Sequence, residues 1–211
     1  MSPKKALCQN WKLYVIADKE AAAGRPLKEI VQLAIQGGAD VIQLRDKIAS
    51  DAEFVREAKE LLQITRAHHV PLILNDRVQA ARDSGADGVH LGQEDGDFIT
   101  ARKALGKHAL IGRSTHTPEQ AALAEKEGFD YIGVGPVFKT PTKPDYQEVG
   151  LALIKYAAKQ IRIPFVAIGG IDESNVRQVR QAGAHRVAVV RAVAASPNPS
   201  ESAKKLKALL A

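Results

Sequence analysis

The sequence predicts one α/β domain over residues 1–211, a (β/α)8 TIM barrel. Eight short apolar runs rich in Val, Ile and Leu alternate with longer segments of helical period. Continuous apolar runs are typical of strands buried on both faces of a parallel sheet. A glycine-containing triplet precedes every second run, which indicates a repeated unit of two strands and two helices. Eight strand–helix units in about 200 residues favour a closed barrel over an open doubly wound sheet.

The predicted strands are these eight apolar runs. In chain order they are residues 13–16, 41–44, 71–74, 88–91, 109–112, 131–134, 165–168 and 187–190. Because the active sites of such barrels lie at the carboxyl ends of the strands, polar residues that follow the runs are the candidates for chemistry.

Helix-start signals mark the segments between the strands. Ser50 and Glu53 form a capping-box pair. Thr117 is a cap residue with Pro118 at the first helical position, and Gln120 is its expected box partner. Apolar residues at helical spacing predict the buried helix faces: Phe54, Ala58, Leu61 and Leu62 in one helix, Leu151, Ile154 and Ala157 in another, and Val176 and Val179 in a third.

Glycines predict where several helices end. The repeated triplet places a glycine just before a strand, where it can end the preceding helix in the left-handed conformation. The triplets are GAD at 38–40, GAD at 85–87, GFD at 128–130 and GAH at 183–185. The longest irregular stretch, residues 135–150, follows the sixth strand and is a candidate functional loop.

Composition excludes several classes of protein. The 30 Lys and Arg outnumber the 24 Asp and Glu, and the charge of +6 favours anionic partners but is too small to indicate nucleic-acid binding. The one cysteine, Cys8, excludes an intramolecular disulfide framework. No apolar run reaches the roughly 18–20 residues of a membrane span, and no signal-peptide core is found. We expect a cytoplasmic protein with no membrane partner, and homo-oligomer formation stays open.

Polar residues gather at the end of the second predicted strand. Gln43 and Arg45 share one face by strand alternation, and the numbering extends that parity to Lys47. An amide and two cations that converge at a barrel mouth suit a polyanion. The alternative is a surface charge cluster beside a buried glutamine.

Two carboxylates follow the third and fourth strands. Asn75 and Asp76 end the third strand, and Asp95 follows the fourth. Carboxylates with an amide nearby can hold Mg²⁺, which completes its oxygen ligands with water or phosphate. The alternative is that Asp76 caps the next helix and residues 93–95 form a solvated turn.

The fifth and sixth strands are followed by hydroxyls and lysines. The hydroxyl of Ser114 suits either an anion or the start of a helix, and the sequence assigns no acidic or thiol partner to His116. The next loop suits a lid or phosphate clamp, and equally an ordinary basic loop. Its polar residues include Lys139, Thr140, Thr142 and Lys143.

The last two strands end in a pattern typical of phosphate sites. Barrels often bind phosphate through backbone N–H groups after strands seven and eight, where Gly170 and residues 190–191 lie. Glycine lets the backbone approach a phosphate closely. With the second-strand cluster, this predicts two anion sites across one mouth, and a metal-assisted reaction that joins or splits two phosphorylated small molecules.

The order of these motifs resembles the thiamine-phosphate synthase (thiamine-phosphate pyrophosphorylase) family over nearly the whole chain. Each motif lies at the end of its own predicted strand. The motifs are VIQLRDK at 41–47, LND at 74–76, VHLGQED at 89–95, IGRSTH at 111–116, GPVF at 135–138 with TPTK at 140–143, and IGGI at 168–171.

The resemblance implies a transferase on a (β/α)8 barrel. Such an enzyme joins 4-amino-2-methyl-5-hydroxymethylpyrimidine diphosphate to a thiazole phosphate, and releases thiamine phosphate and pyrophosphate. The resemblance implies that Asp76 and Asp95 bind Mg²⁺. It also implies that Gln43, Arg45, Lys47 and Asn75 hold the pyrimidine diphosphate, that Ser114 and Lys143 contact the pyrophosphate, and that Thr140, Thr142, Gly170 and the backbone near Val190 hold the thiazole phosphate.

The family chemistry fits these residue types. Arg45, Lys47 and Lys143 would neutralise the departing pyrophosphate, with Ser114 as a further contact. No general base is needed, because the attacking thiazole nitrogen carries no proton. The family often has serine after strand eight, where this chain has Arg191. If that serine donates through its backbone, the arginine only adds positive charge to the substrate site. If the serine hydroxyl is needed, the thiazole-phosphate assignment is weaker at this position.

Two other functions compete with synthesis. A thiazole tautomerase would use the same barrel and an acid–base residue such as His116, but it would not need the diphosphate clamp or the metal carboxylates. A non-enzymatic sensor of phosphate ligands would need far fewer convergent charges than this chain carries.

Overall fold

The computed structural model describes residues 3–142 and 146–211 as a closed parallel barrel. Neighbouring strands pair in chain order, and the first strand pairs with the eighth to close the ring. The predicted (β/α)8 architecture is therefore confirmed. The strands are β1 (Leu13–Asp18), β2 (Val41–Arg45), β3 (Leu72–Asn75), β4 (Gly88–Leu91), β5 (Leu110–Thr115), β6 (Tyr131–Val134), β7 (Phe165–Ile168) and β8 (Val187–Val189).

Helices follow the strands around the outside of the barrel. The capping box that begins the third of them at Ser50 is confirmed. The helices in the described part of the chain are α1 (Pro3–Asn10), α2 (Leu27–Gln36), α3 (Asp51–Ala67), α4 (Val78–Ser84), α5 (Phe98–Leu105), α6 (Pro118–Glu127), α7 (Gly150–Gln160), α8 (Val176–Gln181), α9 (Arg191–Ala194) and α10 (Pro199–Leu209).

All eight predicted strands exist, but several boundaries differ. β5 runs on to Thr115, so Ser114 lies within the strand and pairs with Gly133 of β6. β3 begins at Leu72 instead of Pro71, and β8 ends one residue before Val190. The ladder continues into polar residues because its hydrogen bonds join backbone groups, whatever the side chains are.

Two local predictions at helices need correction. The Thr117 hydroxyl accepts from the Gln120 N–H at 3.2 Å, but the Gln120 side chain accepts from the N–H of His116 rather than that of Thr117. In α7, Leu151 is half-buried and Leu153 takes its place in the core. The other predicted apolar faces, on α3, α7 and α8, are buried.

The repeated glycine triplets lie at the bottom of the barrel, where the strands begin. Their glycines all have positive φ, as predicted, with values between +74° and +108°. The aspartates add a second function, because their carboxylates accept N–H groups at the start of the preceding strand in the ring. Asp40 accepts from Leu13 at 2.9 Å, Asp87 from Leu72 at 2.8 Å, and Asp130 from Ile111 at 2.9 Å.

The inside of the barrel has its own core beside the larger layer between strands and helices. Tyr14, Ile73 and Tyr131 are among its buried side chains. Trp11 packs edge-on against Tyr131, with ring centroids 5.3 Å apart. Helix α1, which the sequence reasoning missed, brings the buried Cys8 against this core at the bottom of the barrel.

None of the helices described here has both the length and the apolar composition needed to cross a membrane.

Candidate active site

The carboxyl ends of the strands open into a cavity of about 470 Å³. Its floor consists of inward side chains that include Tyr14, Val166 and Ala188. A neighbouring, more open cavity of about 340 Å³ is lined by Lys47, the two predicted metal-binding aspartates and residues 92–94. The two cavities form one continuous site, because both are lined by Arg45, Asn75, Ser114 and Thr142.

Asp18, at the end of β1, holds the Arg45 guanidinium in an ion pair. Asp18 is 1% exposed, and its other carboxylate oxygen accepts from the Ala21 N–H at 2.8 Å. Arg45 is therefore fixed at the mouth before any ligand arrives. Gln43 lies deeper than Arg45, since it is 2% exposed and donates to the Tyr14 hydroxyl at 2.7 Å.

Asp76 lies in a strained position at the mouth. Its φ is +63°, a left-handed value that a non-glycine residue rarely adopts and that clusters at functional sites. One of its oxygens accepts from Lys47 and from the Asn75 amide. Arg77 is the cap residue of α4 and makes no side-chain cap bond. The alternative in which Asp76 caps this helix is therefore wrong.

Asp95 lies beside Asp76 in the loop after β4. Its carboxylate accepts from the Gly92 N–H at 2.8 Å, and Arg113 holds the loop by donating to the carbonyls of Gln93 and Gly96. Asp95 is exposed as a residue, yet desolvation of its carboxylate and the adjacent Asp76 carboxylate both raise its pKa. The two carboxylates repel one another as anions, and positive charge between them would stabilise both.

This donor set fits a magnesium ion. In the described part of the chain no three or more His, Cys, Asp or Glu side chains cluster as metal ligands. Two carboxylates with the Asn75 amide alongside form the sparse oxygen site in which Mg²⁺ keeps several waters or phosphate oxygens.

Ser114 and His116 both line the deep cavity but differ in their contacts. Ser114 Oγ lies 2.9 Å from His90 Nε2. His116 Nδ1 lies 2.5 Å from the carbonyl oxygen of Gly135, and the ring packs against Tyr146 at a centroid distance of 4.8 Å.

The deep cavity is also lined by the predicted phosphate residues. Thr140 and Gly170 line it, together with residues 190–192 at the start of the short helix α9, and Thr142 lies where it meets the second cavity. The Thr142 hydroxyl is buried and has no hydrogen-bond partner within the described residues. Lys143 lies outside the described residues.

Close packing adds a reason for glycine at position 170. Its φ is +62°, and a Cβ there would lie 2.6 Å from the carbonyl oxygen of Lys139. The loops after β6 and β7 therefore touch, which side chains at this position would prevent.

Sequence reasoning missed several residues of the site. Asp18 fixes Arg45, and Tyr14, His90 and Tyr131 form a hydrogen-bonded group beneath Ser114. A signal existed for Asp18, because it shares strand parity with Tyr14 and so faces the barrel interior.

The molecule is a (β/α)8-barrel enzyme whose mouth joins an apolar cavity to paired cations and carboxylates. The sequence model of the family described as thiamine monophosphate synthase matches residues 13–193. The chain therefore belongs to the thiamine monophosphate synthase family, and it is a transferase with the synthase activity for which the family is named.

Individual relatives agree with this assignment. The chain is 44% identical over 202 residues to the thiamine-phosphate synthase of Chloroflexus aurantiacus, covering 95% of this chain and 93% of that protein. It is also 44% identical over 210 residues to the thiamine-phosphate synthase of Synechococcus sp. strain WH7803. That match covers 99% of this chain but only 60% of the longer relative. The solved thiamine phosphate pyrophosphorylase from Pyrococcus furiosus superposes with a TM-score of 0.89, at 36% identity and 97% coverage of each chain.

Proposed function

We propose that this chain joins 4-amino-2-methyl-5-hydroxymethylpyrimidine diphosphate to a thiazole phosphate in a Mg²⁺-assisted displacement that yields thiamine phosphate and pyrophosphate. The main support is the lining of the two joined cavities. Arg45 and Lys47 line one of them with Asp76 and Asp95, Gly170 lines the other, and Thr142 lies where the two meet. Two anionic substrates can therefore be held with their rings over the apolar floor between them.

The diphosphate belongs at the end with Arg45 and Lys47. The Arg45 guanidinium is held by Asp18, so little side-chain freedom is lost when it binds an oxyanion. Lys47 contacts Asp76 and is otherwise half-exposed, which allows it to turn toward a phosphate. Asn75 and Ser114 extend this surface into the deeper cavity, toward the pyrimidine ring.

Asp76 and Asp95 would hold the Mg²⁺ ion of the reaction. When bound, Mg²⁺ supplies positive charge to the oxygens of the leaving group. Arg45 and Lys47 give the same stabilisation from the protein side, in a site partly shielded from water.

The reaction breaks one bond and makes one. The bond between the pyrimidine methylene carbon and the diphosphate oxygen breaks, and its electron pair leaves with pyrophosphate. The aminopyrimidine delocalises the resulting positive charge, and the thiazole nitrogen lone pair then forms the new carbon–nitrogen bond. The protein holds the thiazole by its phosphate and so orients the attack.

The thiazole phosphate belongs at the end formed by Thr140, Thr142, Gly170, Val190 and Arg191. All five line the deep cavity, and of these only Thr142 also lines the cavity of Lys47. Arg191 is exposed at the start of α9 and adds positive charge there.

The direct test is product formation by the purified chain. With both substrates and Mg²⁺ we expect one pyrophosphate to be released for each thiamine phosphate formed. Thiamine phosphate is measured by chromatography, and pyrophosphate by a phosphate-coupled assay. Omission of either substrate is the control. Release of pyrophosphate without thiamine phosphate would show a hydrolase and end the proposal.

Lys143 tests the leaving-group clamp that the family resemblance implies. Lys143→Ala should lower turnover strongly, whereas Lys139→Ala, the same charge change in the same loop, should have little effect. Near-normal turnover of the Lys143 variant would remove this lysine from the clamp.

His116 separates synthesis from tautomerisation. Its ring nitrogen is engaged by the Gly135 carbonyl, so we expect His116→Ala to have a modest effect on thiamine phosphate synthesis. A chain that isomerises thiazole phosphate, and loses that activity in His116→Ala, would be a tautomerase instead.

A further inference from the structure

A continuous chain of polar side chains crosses the inside of the barrel. The Gln43 amide donates to the Tyr14 hydroxyl at 2.7 Å, and the Tyr14 and Tyr131 hydroxyls are 3.1 Å apart. The Tyr131 hydroxyl lies 3.1 Å from His90 Nδ1, and His90 Nε2 lies 2.9 Å from Ser114 Oγ. These hydrogen bonds connect Gln43 and Ser114, which both line the substrate cavity, through three residues to which we have assigned no role.

The first hydrogen bond is compatible with one direction along the whole series. The Tyr14 oxygen accepts from the Gln43 N–H, and the Tyr14 O–H can then donate to Tyr131. In this direction the Tyr131 O–H donates to His90 Nδ1, which places the proton of the neutral imidazole on Nε2. His90 Nε2–H then donates to Ser114 Oγ, and the Ser114 O–H is left to donate into the cavity.

The barrel interior has room for these hydrogen-bonded side chains because two neighbouring positions are glycine. A Cβ at Gly112 would lie 2.2 Å from the Tyr131 ring and 2.6 Å from His90 Nδ1. A Cβ at Gly133 would lie 3.3 Å from the His90 ring. Adjacent strands β5 and β6 therefore both carry glycine where His90 enters the interior.

Burial keeps both tyrosine hydroxyls protonated and able to donate. Tyr14 is 2% exposed and Tyr131 is fully buried. Burial is the largest cause that raises the pKa of each hydroxyl above its ordinary value. Neither hydroxyl proton is therefore lost at neutral pH, and both tyrosines remain able to donate a hydrogen bond.

We propose that Tyr14, Tyr131 and His90 are positioning residues that fix the Ser114 hydroxyl as a hydrogen-bond donor to the substrate's diphosphate. The inference rests on the proposed function in one respect, since it takes Ser114 to contact the leaving group. The donated bond strengthens as negative charge grows on the departing pyrophosphate, so its loss should lower kcat more than it raises KM.

The test is the tautomer of His90, read from long-range ¹H–¹⁵N correlation spectra of the unliganded full-length chain. The signals of His90 are assigned by their absence in His90→Gln. We expect a neutral ring with its proton on Nε2 in the unsubstituted protein, and the same tautomer in Ser114→Ala. A proton on Nδ1, or on both nitrogens at neutral pH, would overturn the proposal without any variant of the tyrosines.

Tyrosine variants test the two steps of the chain. Tyr131→Phe should remove the preference for the Nε2 tautomer and lower kcat about tenfold, the size of one charge-assisted hydrogen bond. Tyr14→Phe should have a smaller effect, because the Tyr131 hydroxyl still donates to His90. Tyr156→Phe, on the outer helix α7, is the matched control and should change neither quantity.

The outcomes separate this inference from the proposed function. A Tyr131→Phe protein that keeps both the His90 tautomer and kcat would overturn the proposed role of these hydrogen bonds. A changed tautomer with unchanged kcat would overturn the role of Ser114 as a donor to the leaving group. In either case stoichiometric release of pyrophosphate would still support synthesis of thiamine phosphate.

Discussion

Aspartates lie at both ends of this barrel, and their surroundings differ. At the bottom, Asp40 accepts from the N–H groups of Lys12 and Leu13 and pairs with Lys207. At the top, Asp76 has φ +63° and pairs with Lys47, but it also lies beside a second carboxylate, that of Asp95.

Aspartates that stabilise the fold can be told apart from aspartates that take part in the chemistry by the groups around them. A carboxylate with backbone N–H donors and a cation stabilises the strands that it joins. Two carboxylates placed together repel one another, so their proximity is a cost to the fold unless they hold a positive charge. Substitutions at each end should therefore separate loss of activity from loss of stability.

The largest effect is expected at Asp76. Asp76→Asn removes a charge from the carboxylate pair, and asparagine tolerates the left-handed backbone there. We expect pyrophosphate release to fall about a thousandfold, the scale of several kcal/mol of transition-state stabilisation by a metal site. The midpoint of urea unfolding should stay the same or rise. An active but destabilised variant would make Asp76 a structural residue like those at the bottom.

The reverse result is expected at Asp130. Its carboxylate accepts from the Ile111 N–H at 2.9 Å and from Arg102 at 2.6 Å, and the residue is 8% exposed. Asp130→Asn should lower the free energy of unfolding by about 2–3 kcal/mol, because a buried charge-assisted network is broken. Turnover measured at urea concentrations well below the unfolding midpoint should be unchanged. Asp83→Asn, on an exposed part of α4, is the control with little effect on either quantity.

Two glycines at the top of the barrel separate the effect of backbone conformation from the effect of close packing. Gly170 and Gly150 have nearly equal φ, +62° and +63°, but a Cβ at Gly150 meets nothing within 4 Å. Gly150→Ala should cost about 1–2 kcal/mol for the backbone conformation alone. Gly170→Ala should cost more and should raise KM for thiazole phosphate, because the Lys139 loop must move. If both variants lower the free energy of unfolding in urea equally, the Lys139 loop moves away from the new side chain at no measurable cost.

The smallest effect concerns the core between the two ends. Burial raises the pKa of Tyr14 and Tyr131, so both should stay protonated in the folded chain as pH passes 10. The unfolded chain ionises there, so stability should fall as pH rises above 10. Absorbance at 295 nm should show fewer ionised tyrosines in the folded protein than in urea at the same pH. Identical titrations would contradict the burial of these hydroxyls.

The features that the sequence predicted are those encoded locally. Each strand is a short apolar run, and each triplet glycine adopts the positive φ that ends a helix. Arg45, Asp76 and Asp95 were placed at one face because parallel strands bring their carboxyl ends together.

The missed features depend on closure of the barrel. Tyr14 and Tyr131 are 117 residues apart, and only the ring of eight strands brings their hydroxyls together. The ion pair of Asp18 with Arg45 joins neighbouring strands in the register that the fold sets. No spacing within a single motif carries such contacts, whereas inward strand parity at Asp18 was a usable signal.

If the carboxylate pair at the top of the barrel holds a divalent ion, departure of the diphosphate should depend on that ion. The rate of pyrophosphate release can be measured with chelator-treated protein, before and after Mg²⁺ is restored, in the unsubstituted chain and in Asp95→Asn. We expect chelation to stop the reaction and Mg²⁺ to restore it only in the unsubstituted chain. Undiminished release in excess chelator, or full recovery by Asp95→Asn, would rule out a divalent ion at this pair.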